Sequence, residues 1–149
     1  MNIDEICTRE VIIASRSDSA LEVVKLMRQY HVGDVIIVDR IDNQNIPVGI
    51  ITDRDIVLEL VAKEIDVSSV CAGDIMSTEL LLAVESEQLS DVVQKMQAKG
   101  VRRAPVVDGQ GRLIGIVTGD DLIEMISEQL GSLVSLVNKR EQREHTLRT

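Results

Sequence analysis

Apolar positions along the chain follow two rhythms that alternate. Short runs at 11–14, 35–39 and 48–51 read as strands, and so do 80–84, 104–108 and 113–117. Between them Ala20, Val23, Val24 and Met27 recur at i, i+3, i+4, i+7, and Leu89, Val92, Val93 and Met96 do the same. That spacing predicts two helices, each with one apolar stripe. Ser17 and Ser86 are the N-cap candidates for them. Polar turns at 42–45 and 109–111 separate the last two strands of each set. Each third strand then runs into a helix that opens at Thr52 or Thr118.

The two sets are copies of one unit. Ile6 to Ala14 aligns with Ile75 to Ala83 at an offset of 69, and the register holds through Val38-Asp39 over Val107-Asp108. A three-residue insertion near 42–45 follows in the first copy, after which Gly49-Ile50-Ile51-Thr52 lies over Gly115-Ile116-Val117-Thr118. The boundaries are 1–69 for the first repeat, 70–128 for the second, and 129–149 for a C-terminal helical extension and tail. One unit has a small sheet with a single apolar helix face on it, which is marginal alone. The expected fold is therefore α/β (α+β): two β-α-β-β-α repeats packed sheet to sheet about a pseudo-twofold axis, with an extended C-terminal helix. Such an interface makes two related clefts, so a ligand site would occur in two versions.

Composition narrows the function. The 149 residues are 44% hydrophobic and 28% charged, but hold no Trp, no Phe and only Tyr30. The core must be aliphatic, and single-stranded nucleic acid would find almost no ring to stack on. A net charge of −9 also repels phosphate backbones and anionic membranes, so neither is an expected partner. The acidic start lacks a signal-peptide pattern and every apolar run is far below a membrane span, so the expected compartment is the cytoplasm. Cys7 and Cys71 lack metal or disulfide spacing and read as reduced, partly buried thiols. No nucleophile–base pair, metal cluster or P-loop spacing points to an enzyme. His145 stands in the tail without a nucleophile pattern, His31 marks a helix end opposite Gly100, and Tyr30 is expected to be partly in the core.

The candidate chemistry lies in Gly49-Ile50-Ile51-Thr52-Asp53-Arg54-Asp55 and its echo Gly115-Ile116-Val117-Thr118-Gly119-Asp120-Asp121. Each Thr opens a helix, where its hydroxyl and the first free backbone N–H groups form an anion site. The carboxylate three residues on can accept hydrogen bonds from a ribose diol. The same Thr-x-x-Asp pattern is also a capping box, which needs no ligand.

These motifs, with Asp74-Ile75-Met76-Ser77 and Val101-Arg102-Arg103-Ala104-Pro105-Val106-Val107-Asp108, resemble a tandem pair of cystathionine-β-synthase (CBS) domains, a stand-alone Bateman module, over residues 6–127. The resemblance implies a regulatory fold that binds AMP, ADP, ATP, NAD(H) or S-adenosylmethionine as a regulatory ligand and has no catalytic cofactor. It gives ribose to Asp55 and Asp121, and phosphate or ribose to Thr52 and Thr118. It places adenine against Ile12, Leu81, Val32-Gly33 and Val101-Arg102. The copies differ: Arg102-Arg103 stands where the first has Gly33-Asp34, and Arg54 where the second has Asp120. Cations are thus unequally shared, and unequal sites are expected. Without aromatic rings, adenine would be held by aliphatic walls and backbone groups.

Ile123, Ile126, Leu130, Leu133 and Val137 continue past the repeat in a heptad-like seam, and 138–149 reads as a solvated end. The seam packs on its own module or pairs in a homodimer. The leading functional expectation is a nucleotide sensor that signals to an effector protein. The other is a structural or oligomerisation module whose Thr and Asp only cap helices.

Overall fold

The computed structural model describes residues 1–148, with side chains through Arg140. His145 lies outside the described side chains. Two compact units are present, Met1–Val117 and Thr118–Thr149. The first copy contributes β1 (Ile13–Ala14), α1 (Ala20–Tyr30), β2 (Asp34–Ile41), β3 (Gln44–Thr52) and α2 (Asp53–Ile56), which continues as a π-turn over Val57–Val61. The second contributes α3 (Ala72–Ile75), β4 (Ala83–Val84), α4 (Leu89–Lys99), β5 (Arg103–Val107), β6 (Leu113–Thr118) and α5 (Gly119–Arg148). Two three-stranded sheets result, in the orders β1-β2-β3 and β4-β5-β6. β1 runs parallel to β2 and β4 to β5, as a helical crossover requires, while β2 and β3 form an antiparallel hairpin.

Period-two alternation divides the apolar residues of β2 between two faces. Val35 and Ile37 join Ala20, Val23 and Ile51 in the helix–sheet core of the first repeat. Ile36 and Val38 point the other way and pack with Ile116 of the second sheet. All five β2 and β6 residues are buried, which is why these strands read as near-continuous apolar runs. The expected sheet-to-sheet contact is this second face. The extra residues of the first copy lengthen its hairpin, which closes at the pair Ile41↔Gln44 through Asp42 and Asn43. Both have positive φ (52° and 61°), a two-residue turn that Asp and Asn tolerate.

The first strands are shorter than 11–14 and 80–84, and the cause is an exchange of leading segments. Thr8 pairs with Ile116 of the second sheet through two backbone bonds of 2.9 Å, and Ser77 pairs with Ile50 of the first through bonds of 2.9 and 3.0 Å. Each chain segment must then cross to its own sheet, so it cannot lie along its neighbour before Ile13 or Ala83. The reciprocity continues upstream. The Ala72 and Gly73 N–H groups bond to the carbonyls of Asp18 and Arg16, while those of Ile3 and Asp4 bond to Glu87 and Glu85. Ile3 and Ala72 are fully buried at matched positions.

This exchange also corrects the expected caps. Ser19, not Ser17, caps α1 by accepting the Glu22 N–H, and at α4 the capping position is Gln88, with no side-chain cap, so Ser86 has no such role. The leading segments supply what is missing: the Ala20 N–H donates to the Val70 carbonyl and the Leu89 N–H to that of Met1. At the other ends His31 and Gly100 both adopt the left-handed conformation that stops the helix. Tyr30, the last residue of α1, is 50% exposed rather than part of the core, because the apolar stripe ends before it. Cys71 is exposed, whereas Cys7 is half-buried and burial raises its pKa.

Glu87 holds the turn before α4. It accepts the Val84 N–H and pairs with Lys95, as Asp18 accepts the Ser15 N–H in the first copy. The Lys95 ammonium, then the Val84 N–H, lowers its pKa. A carboxylate depressed in the folded state stabilises above its unfolded pKa of about 4.3 and loses that contribution as pH falls through the folded value. Glu87→Gln is therefore expected to melt lower than the parent at pH 7, and the two melting temperatures should converge below about pH 4. Calorimetric scans across pH check this; a constant gap would contradict the role of the charge.

Candidate functional site

At the end of β3 the chain turns sharply into α2, and its polar groups are matched internally. The Thr52 N–H donates to Asp55 Oδ2 at 3.0 Å, and the Asp55 N–H donates back to Thr52 Oγ1 at 3.2 Å. This is a complete capping box. The Asp53 N–H donates to the Gly33 carbonyl at 2.9 Å and the Arg54 N–H to Asp53 Oδ1 at 2.8 Å. The expected anion site of free backbone N–H groups is thus corrected: these donors are already used. Two functional groups remain. The Thr52 hydroxyl accepts a bond but still has its own proton to donate. The Asp55 carboxylate has one oxygen engaged and Oδ1 left to accept.

A cleft of about 230 Å³ opens beside them. Thr52, Asp55 and Ile50 come from the first repeat, and Ser77, Glu79, Leu80, Leu81, Val101, Arg102, Arg103 and Pro105 from the second. The structure therefore decides a pairing that the sequence leaves open: the first Thr-Asp motif faces the strand-entry segments of the second repeat. An adjoining hollow of about 470 Å³ shares Thr52, Arg102 and Arg103 and adds Asp53, Arg54 and Gly100. Ligand pockets commonly measure roughly 300–1,000 Å³, so the two parts together have room for a mononucleotide.

Of the expected site residues, Thr52, Asp55, Leu81, Val101 and Arg102 meet in the cleft, and Arg54 lines the adjoining hollow. Ile12 packs against the first helix–sheet core instead. Gly33 supports α2 through its carbonyl, and a Cβ there would come within 3.1 Å of Asp53 Oδ2. Val32 donates its N–H to the Met27 carbonyl. Thr118, Asp120 and Asp121 belong to the second compact unit, where the Thr118 hydroxyl accepts the Asp121 N–H at the start of α5. Arg103, expected beside Arg102 as one of the unequally shared cations, also lines the cleft, and residues missed in the sequence are Ile50, Ser77, Glu79, Leu80 and Pro105. Arg103 aligns with Asp34 by the repeat offset and pairs with it at 2.6 Å. That ion pair joins equivalent positions of the two repeats and is partly buried, so Arg103 is held, while the Arg54 and Arg102 side chains have no acceptor among the described residues. Among the described residues, no group of three or more His, Cys, Asp or Glu is placed to hold a metal.

The sequence pattern of the CBS domain family matches residues 3–62 and 72–128. The protein belongs to the CBS domain family. Its two CBS repeats are 34% identical over 139 residues to the CBS domain-containing protein YhcV of Bacillus subtilis, covering 92% of this chain and 95% of that one. They are 38% identical over 125 residues to the protein MK0525 of Methanopyrus kandleri, covering 84% of this chain and 62% of that longer protein. The solved CBS domain pair of protein MJ0100, in complex with 5-methylthioadenosine and S-adenosyl-L-methionine, superposes with a TM-score of 0.73 at 27% identity, over 87% of this chain and 98% of that one. Among the described residues, no helix of this CBS pair is long and apolar enough to cross a membrane.

Proposed function

We propose that the protein is a regulatory module that binds a phosphorylated adenosine nucleotide in the cleft between Thr52–Asp55 and Leu81/Val101–Arg102. One observation carries this reading: Asp55 keeps an acceptor oxygen beside two arginines, Arg54 and Arg102, whose side chains have no partner among the described residues. Ribose hydroxyls suit Asp55, the Thr52 hydroxyl suits a ribose or phosphate oxygen, and Leu81 and Val101 offer aliphatic walls to adenine. The ligands of the MJ0100 pair support an adenosyl ligand. The cations favour AMP, ADP, ATP or NAD(H) over S-adenosylmethionine. Arg54 and Arg102 align with Asp120 and Gly33, so one strong phosphate-binding site per chain is expected. Binding acts by shifting the repeats or a homodimer between states of different affinity, and an effector protein in the cytoplasm reads the change. No catalytic step is assigned.

Arg102→Ala tests the phosphate contact. Its affinity for AMP or ATP should fall about tenfold, because a charge-assisted hydrogen bond contributes about 1.5–3 kcal/mol. Affinity for 5-methylthioadenosine, which has no phosphate, should change by less than about twofold, since no such bond is lost. Titration calorimetry measures both; equal losses for the two ligands would contradict the assignment.

The completed capping box favours a second reading, a structural or oligomerisation module that regulates a partner by contact alone. In that case no adenine nucleotide raises the melting temperature of the parent protein.

A further inference from the structure

Helix α5 is 30 residues long, and six of its exposed apolar residues form one stripe. At 3.6 residues per turn Ile123, Ile126, Leu130, Leu133, Val134 and Val137 fall within an arc of about 100°. Each is more than half exposed. A stripe of this width with 3-4 spacing is the surface one helix presents to another. Charge along the same helix is segregated. Asp120, Asp121, Glu124 and Glu128 occupy its first third with no Lys or Arg before Lys139. Lys139, Arg140, Arg143 and Arg148 dominate its end against Glu141 and Glu144. Parallel copies would stack acid on acid and base on base.

We propose that α5 pairs antiparallel with α5 of a second copy of this chain. Ile126 then lies opposite Val137, and Leu130 opposite Leu133, each twice by symmetry, so the four central layers are apolar and Ile123 faces Arg140 at either end. The acidic start of each helix meets the basic end of the other, within the range where charges at physiological salt still attract. Segregated charge also favours the helix itself through its dipole, but that needs no apolar stripe. The inference rests on the homodimeric reading above and assigns the element and the orientation.

Light scattering on the full chain is expected to give twice the chain mass, or a higher multiple, and the Leu130→Asp/Leu133→Asp variant half the parent mass with its melting temperature retained. The stripe is exposed, so the variant has no buried charge in the single chain. A multimer that keeps its mass in the variant overturns the role of α5 but leaves a homodimer; a monomeric parent overturns both. Orientation is read in a Cys7→Ser/Cys71→Ser background. A mixture of Ile126→Cys and Val137→Cys chains should oxidise to the mixed disulfide, with little of either self-linked product. Self-linked products in preference overturn the antiparallel order.

Discussion

Asp55→Ala is expected to remove nucleotide binding while leaving a folded protein. A carboxylate that accepts both hydroxyls of a ribose makes two charge-assisted bonds, each contributing about 1.5–3 kcal/mol. Their loss corresponds to a fall in affinity of about 10² to 10⁴. The cost in stability is smaller. Asp55 supplies one half of a capping box at Thr52, and such contacts contribute about 0.5–2 kcal/mol. Asp55→Asn separates the two roles, because an amide oxygen can still accept the Thr52 N–H but brings no charge to the ribose. Asn should therefore restore most of the melting temperature and little of the affinity. Calorimetry with AMP and ATP beside thermal denaturation gives both quantities. If the parent binds no nucleotide and both variants differ from it only in stability, Asp55 is a cap and nothing more.

The motif around Asp55 shows where a sequence pattern is legible and where it stops being so. Repetition made the element order legible, because apolar positions matched at an offset of 69, and again at 66 after one insertion, mark two copies of one unit. Buried strands were legible for the same reason that they are buried: β2 must satisfy a helix on one face and a second sheet on the other. The caps were misplaced because the donors at the start of α1 and α4 are satisfied by carbonyls of Val70 and Met1, far away in sequence. Spacing within a segment carries no trace of such a partner. The anion site expected at Thr52 is absent for a related reason. The Gly33 carbonyl reaches the first N–H of α2 only once the sheet has formed. Which motif faces which walls depends on the exchange across the two sheets, and that is a property of packing rather than of pattern. The recurrent Gly49 and Gly115 belong here too. Each is placed where the other repeat's leading segment passes.

That placement gives the larger of the two stability effects. Gly115→Ala is expected to cost about 3–5 kcal/mol, and Gly49→Ala about 1–2 kcal/mol, although the two positions are equivalent by symmetry. A Cβ on Gly115 would stand 2.8 Å from the Thr8 carbonyl oxygen and 2.8 Å from Cys7 Sγ. The carbonyl is main chain and is tied to Ile116 by the paired bonds between Thr8 and Ile116, so relief requires breaking that pairing. Overpacking then adds to the loss of two hydrogen bonds. The three atoms nearest a Cβ on Gly49 all belong to the Met76 side chain; the two closest, Sδ and Cγ, can swing aside on an unbranched chain, and Met76 Cβ at 3.0 Å has to give by only a few tenths of an ångström. Since domains of this size are stable by only about 5–15 kcal/mol, the first variant should approach half-unfolding at low denaturant and the second should not. Urea titrations measure the difference. Double variants locate its origin: Met76→Ala should largely rescue Gly49→Ala, whereas Cys7→Ala should rescue Gly115→Ala only in part, because the Thr8 carbonyl remains. Equal costs at the two glycines, or full rescue by Cys7→Ala, would mean that the leading strand segment does not lie against the second sheet through its backbone.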